Sequence, residues 1–356
     1  MKVENTIRIQ AGSGYDVMIG HDLLSSTGQF IQNVMPQRRC VIISDTNVSP
    51  LYLDTVFTSC EKSGFSVSSF IFTAGEEQKN LAVFGRALEA LAEARLTRKD
   101  FVIALGGGVT GDMAGFAAGC YMRGIPFVQI PTTVLSMVDS SVGGKCAVDL
   151  PQGKNMAGIF HQPSLVLCDI DTLSTLPPDI FTDGCAEAIK TGILTGGELY
   201  RILQKDEWKK HMARIISLCI AYKGGVVERD EKEQGERKLL NLGHTAAHAI
   251  EKCSNFSVSH GRAVAIGTAM IARAADRLGW SREPLGDPVR EILTRFGLPV
   301  STEFTPEQLL EAALSDKKRT GKTTAIVVPE AIGHCIIKDV TDEQLLQVFI
   351  EGGAKS

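Results

Sequence analysis

Through the first half of the chain, short unbroken apolar runs alternate with stretches whose apolar residues recur near the helical period. CVIISD (40–45), VSSFIFTAG (67–75), FVIALGGG (101–108), FVQIPTT (127–133) and SLVLCDI (164–170) read as strands buried on both faces. Residues 50–63, 79–96 and 110–122 read as the helices between them. This alternation predicts a Rossmann-like α/β domain, a mainly parallel sheet covered on both sides. TIRIQA and YDVMIG, near the start, predict an antiparallel hairpin on the sheet edge.

The pattern changes after LPPDIF (176–181). Residues 183–230, 239–254, 261–279, 286–296 and 305–315 carry helical spacing with few strand signals. TTAIVVP (323–329) and GHCIIKDV (333–340) predict a late hairpin before a terminal helix. The expected organisation is therefore an α/β domain over 1–176 and a mainly α-helical domain over 177–356, with a cleft where they meet.

Composition narrows the class. A net charge of -4 gives no basic surface for nucleic acid. No apolar run reaches the ~18 residues of a membrane helix, and the N-terminal stretch lacks the apolar core of a signal peptide. Nine cysteines without a C-x-x-C pair argue against a disulfide framework and for a reducing cytoplasm.

ALGGGVTGDMAGF (104–116) contains Gly106-x-Gly108-x-x-Gly111 between a strand and a helix, the setting of a phosphate-binding loop. A dinucleotide fold also needs an acid about 20 residues on. Residues 124–138 hold none, and the better-placed acid is Asp45, closing an earlier strand with Asn47 beside it. The loop reads as phosphate-binding, in an arrangement other than the standard one.

Three of the seven histidines fall in one window. His244 and His248 lie four apart on one helix face, and His260 follows. An i, i+4 pair can ligate one metal ion, and a carboxylate should complete the set. Glu187 is the best candidate and Glu251 the nearby competitor. Asp139, Lys145, Lys154 and Asn155 sit among small and apolar residues, where lysines suggest contacts to phosphate or to a cofactor's oxygens. Arg237, seven residues before His244, suits a carboxylate or phosphate. SDKKRTGK (315–322) is a basic cluster in an expected loop. Together these groups suit a phosphorylated sugar acid.

In order along the chain, SDTNV, GEEQKN, LGGGVTGDMAGF, YMRGIPFVQIPTT, VDSSVGGKCAVDLPQGKNMAGIFHQP, GCAEAIKTG, ERDEKEQGERKLLNLGHTAAHAIE, SHGRAVAIG and DKK resemble the 3-dehydroquinate synthase family. The resemblance implies NAD in the interdomain cleft. Asp45 and Asn47 would hold the adenosine ribose, with Glu76 and Lys79 nearby. Gly107, Gly108, Val109, Thr110, Gly111 and Asp112 would line the pyrophosphate. Thr132, Thr133, Lys145, Lys154, Thr172, Leu173, Ser174 and Thr175 would complete the site. It further implies that Glu187, His244 and His260 bind the metal, zinc or cobalt, which makes His248 a neighbour instead of a ligand. The implied substrate residues are Asp139, Lys145, Asn155, Lys190, Lys223, Arg237, Asn241, His248 and one of Lys317 and Lys318. Arg123 matches a residue reaching the neighbouring subunit's phosphate site, which implies a homodimer. Two other classes stay open on the residues alone: an NAD- and metal-dependent alcohol dehydrogenase, and a sugar-phosphate or nucleotide-binding regulatory module.

Overall fold

The computed structural model describes residues 1–35, 39–314 and 323–355. Lys317 and Lys318 lie outside the described residues. The chain divides into two compact units: Met1–Leu176 with Lys223–Lys232, and Pro177–Tyr222 with Glu233–Ser356. The segment Lys223–Lys232, read from sequence as part of the helical half, is packed with the first unit.

The first unit is built on a seven-stranded sheet. Its elements run β1 (Lys2–Ile9), β2 (Tyr15–His21), α1 (Thr27–Val34), β3 (Arg39–Asp45), α2 (Ser49–Lys62), β4 (Ser66–Phe72), α3 (Leu81–Glu93), β5 (Phe101–Gly106), α4 (Gly108–Cys120), β6 (Phe127–Pro131), β7 (Lys145–Leu150), β8 (Gly153–Phe160) and β9 (Leu165–Asp169). The sheet order is β1-β2-β9-β6-β5-β3-β4, antiparallel only between β1 and β2. The unbroken apolar runs have a direct cause. Cys40 and Ile42 of β3 face one core with Val56 and Cys60 of α2. Val41 and Ile43 face the other, with Val83 of α3 and Met113 of α4. Both faces are buried, so apolar residues fill both alternate positions along Cys40–Ile43, and Ser44 is accommodated by donating to the Leu105 carbonyl at 2.8 Å. β7 and β8 form a separate antiparallel hairpin. It occupies the Gly- and Lys-bearing stretch whose sequence carries no clean alternation.

The second unit comprises α5 (Pro178–Thr195), α6 (Gly197–Leu203), most of α7 (Met212–Arg229), α8 (His244–Cys253), α9 (His260–Arg277), α10 (Gly286–Arg295), α11 (Pro306–Leu314), a hairpin of β10 (Thr323–Ala331) and β11 (His334–Thr341), and α12 (Asp342–Glu351). The stretch 183–230, which carries helical spacing, forms most of α5, then α6 and α7, and is divided at Gly196 and Gly197, which take φ of 59° and 55°. An α-helix cannot pass through two left-handed residues. Among the described residues no helix is long and apolar enough to cross a membrane.

Candidate nucleotide and metal sites

In the first unit, β3 has β4 on one side and β5 on the other, so the chain reverses its direction of travel across the sheet between β3 and β5. Ligands of open α/β sheets bind beyond the strand ends at such a switch point. Asp45 closes β3 and the glycine loop follows β5. Asp45 Oδ1 accepts from the Asn47 and Val48 amides (2.9 and 3.1 Å), and Oδ2 from the Thr110 hydroxyl (3.1 Å). Its carboxylate therefore ties the two strand ends together, while Asn47 and Glu76 are exposed.

The helix after the loop has no side-chain cap at Gly107, which leaves its first-turn amides open to an anion. The later glycines serve packing. A Cβ on Gly111 would meet Gln129 of β6, and one on Gly115 would strike Cys146 of β7. At the end of β6, Thr132 Oγ1 is buried and has no hydrogen-bond partner. Open amides and an orphaned hydroxyl beside a switch point fit a dinucleotide. Thr133 is engaged with Ser136, hydroxyl to hydroxyl at 2.8 Å. Thr172 to Thr175 form a turn held by the Tyr52 hydroxyl, which donates to the Thr172 carbonyl at 3.1 Å.

Lys79 is buried, and its Nζ donates to Asp112 Oδ2 and to Asn155 Oδ1, both at 2.6 Å. Burial opposes its charge, but Asp112 and Glu76 outweigh this and hold the ammonium above its ordinary value. Asn155 has φ of 53°, and its amide donates to Asp149 at 2.6 Å. Lys154 faces Glu76 at 3.8 Å, and Lys145 opens β7 on its exposed side. Lys223 Nζ donates to both the carbonyl and the carboxylate of Asp139 (2.8 Å each). Arg123 is exposed, with φ of 68° between Met122 at 49° and Gly124 at 113°.

In the second unit, ligand atoms of Glu187, His244 and His260 all lie within 4.8 Å of one another. They come from three helices. Glu187 is mid-α5, and the two histidines are the first residues of α8 and α9. Glu187 Oε1 is buried without a hydrogen bond, 3.6 Å from His244 Nε2 and 3.4 Å from His260 Nε2. The other ring nitrogens are spoken for. His244 Nδ1 donates to the Leu242 carbonyl at 3.1 Å, and His260 Nδ1 to Glu251 at 3.2 Å. That arrangement turns both Nε2 atoms toward the carboxylate, the pattern of metal-ligating histidines. Burial, then Lys190 and His260, holds His244 well below the usual imidazole range and keeps it neutral. Burial opposes charge on Glu187, yet the Lys190 ammonium beside it holds its carboxyl below the ordinary value. The donor set of two imidazoles and one carboxylate fits a catalytic divalent metal with an open position.

Packing decides between alternatives that residue spacing left open, in the sense the resemblance implied. His248, one turn from His244, lies outside the triad, its ring 5.6 Å from that of His244. Glu251 supports His260 and is not part of the ligand set. Lys190 pairs with Glu187, Arg237 is wholly buried, and Asn241 donates to Glu233 at 2.7 Å. Sequence reasoning missed Asp183 and Asp149. The four-residue spacing of Asp183 to Glu187 on one helix was the available signal for the first.

A family model described as 3-dehydroquinate synthase N-terminal matches residues 69–183, and one described as 3-dehydroquinate synthase C-terminal matches 184–319. The 3-dehydroquinate synthase of Clostridium kluyveri is 41% identical over 332 residues, covering 92% of each chain. That of Pelobacter propionicus is 41% identical over 342 residues, 94% of this chain and 95% of the other. Among solved structures, 2-deoxy-scyllo-inosose synthase complexed with carbaglucose-6-phosphate, NAD+ and Co2+ superposes with a TM-score of 0.86 at 25% identity, over 98% of this chain and 100% of that one.

Proposed function

This chain belongs to the 3-dehydroquinate synthase family, and we propose from that premise that it turns 3-deoxy-D-arabino-heptulosonate 7-phosphate into 3-dehydroquinate and phosphate. The route is transient NAD-dependent oxidation, phosphate elimination, re-reduction and intramolecular aldol closure, a lyase reaction of the shikimate pathway. The observation that carries the reading is the buried Glu187 oxygen without a hydrogen bond, facing two imidazole Nε2 atoms. NAD and a divalent metal, when bound, supply reversible oxidation of a ring carbinol and polarisation of the resulting ketone, which lets phosphate leave.

The chain's residues divide the remaining work. Gly107 to Asp112, with the open amides of α4, are assigned the NAD pyrophosphate, and Asp45 and Asn47 the ribose. Thr132, Thr133, Lys145, Lys154 and residues 172–175 are assigned the rest of the cofactor. Glu187, His244 and His260 are the metal ligands, zinc or cobalt.

Lys79 donates to Asn155 Oδ1, so the side-chain Nδ2 of Asn155 is left to donate to a phosphate oxygen. Lys145 and Arg123 join it there, Arg123 reaching the neighbouring subunit of a homodimer. Arg237 and a lysine of the Lys317/Lys318 pair take the substrate carboxylate, which an arginine can grip through two hydrogen bonds. Lys223 orients Asp139 toward substrate hydroxyls, alongside Lys190 and Asn241. His248 handles protons, with Asn155 and ordered water as hydrogen-bond partners.

The test is phosphate release from the heptulosonate phosphate with both cofactors, and with NAD or metal removed. Release that requires both supports the reading. No release from the fully loaded protein, or steady net NADH formation, overturns it.

A further inference from the structure

Glu187 reaches the metal triad from the middle of a long helix, whereas His260 stands at the first position of α9, where helices fray. We propose that Asp183 and Glu251 are positioning residues that clamp His260, one through the backbone turn that carries it and the other through its ring. The proposal rests on the metal reading of Glu187, His244 and His260.

The backbone half of the clamp comes from α5. Asp183 lies four residues before Glu187, on the same helix face. Its carboxylate accepts from the amides of Arg262 (2.9 Å) and Gly261 (3.2 Å) and from the Ser259 hydroxyl. The Ser259 side chain makes no cap bond to α9, so Asp183 caps this helix from another one. Negative charge at that end also suits the helix dipole. The approach is close because residue 261 is glycine: a Cβ there would collide with the Asp183 carbonyl. The side chain that anchors the start of α9 and the side chain that faces His260 therefore project from one turn of α5. Their common origin sets the His260 to Glu187 spacing.

The ring half comes from α8. The buried Glu251 carboxylate accepts from His260 Nδ1 at 3.2 Å, which turns Nε2 toward Glu187. The linker between α8 and α9 is bent to allow it. Asn255 and Phe256 take φ of 49° and 61°, and the Phe256 amide donates to the Glu251 carbonyl at 2.7 Å. Two successive non-glycine residues in left-handed conformation are strained, and such strain is retained where surrounding contacts hold it.

The experiment uses full-length protein loaded with Co2+, following affinity by competition with a chromophoric chelator and ligand geometry by the visible d–d bands. Asp183→Ala and Glu251→Ala are each expected to weaken Co2+ binding by about 10- to 100-fold and to alter the bands. Ser259→Ala, which removes one bond to Asp183, and Glu251→Gln, which keeps side-chain volume, are expected to lose less. They carry the test if an alanine variant does not fold. In a His260→Ala background the same substitutions should change Co2+ affinity little, because the clamp acts through His260. Unchanged affinity and bands in the single variants, or an undiminished loss in the His260→Ala background, would overturn the proposal. Failure of the unsubstituted protein to bind Co2+ would instead overturn the metal reading.

Discussion

Lys79 Nζ lies 2.6 Å from Asp112 Oδ2, an ion pair with side-chain exposures of only 5% and 17%. It joins the turn before α3 to the helix of the glycine loop, and through Asn155 to the β8 strand. Lys79→Met would leave Asp112 with an uncompensated charge and is expected to destabilise the protein by about 3 kcal/mol, read from the urea midpoint. The pH dependence has a definite sign. Because the folded ammonium titrates above its ordinary 10.5, the pair's contribution is complete below that value and fades as pH rises past it. Alkaline unfolding of Lys79→Met should therefore be shallower than that of the unsubstituted protein.

Thr132 offers a cleaner probe of the nucleotide site. Its buried hydroxyl has no partner in the structure, so Thr132→Val removes an unsatisfied group and should leave stability unchanged or raise it slightly. NAD affinity is expected to fall by about tenfold, the worth of one hydrogen bond. Thermal unfolding checks the first half and calorimetric titration the second, since equal NAD affinity would show that the hydroxyl faces no ligand.

At the metal site, Glu187→Gln keeps shape and removes charge. Lys190, itself buried, would lose its counter-ion. The expected result is loss of stoichiometric metal together with a fall in turnover of about 10³-fold, the scale of several kcal/mol of Lewis-acid stabilisation. Metal analysis beside phosphate-release rates separates the two effects. Chelation of the unsubstituted protein should reproduce the loss, and added Zn2+ or Co2+ should reverse it there alone.

Packing that brings His244 near α9 is equally open to test. A Cβ on Gly267 would strike the Gly243 carbonyl, one residue before His244. Gly267→Ala is expected to cost about 1–3 kcal/mol by forcing α8 and α9 apart. It should also weaken metal binding although it replaces no ligand. Thermal unfolding and chelator competition measure the two together.

Local pattern carried much of this protein. Strands buried on both faces write themselves as apolar runs, so β3, β5, β6 and β9 were legible, and the glycine loop between β5 and α4 with them. Helical period likewise exposed α2, α3 and α4. The β7–β8 hairpin was not legible, because its lysines, glycines and Asn155 answer to contacts elsewhere in the first unit and leave no alternation. The histidines show the same boundary at one site. Spacing along a helix leaves His248 and His260 both open as partners of His244, since i and i+4 share a face and His260 falls in the same window; only the motif resemblance pointed to His260. The structure assembles His244 with His260, because α9 packs on α8 and its first turn is capped by Asp183 of α5. Residue type and period are local quantities, and one chain states them directly. Which of two equivalent imidazoles meets the carboxylate depends on contacts between residues tens of positions apart, and only the packed helices decide it.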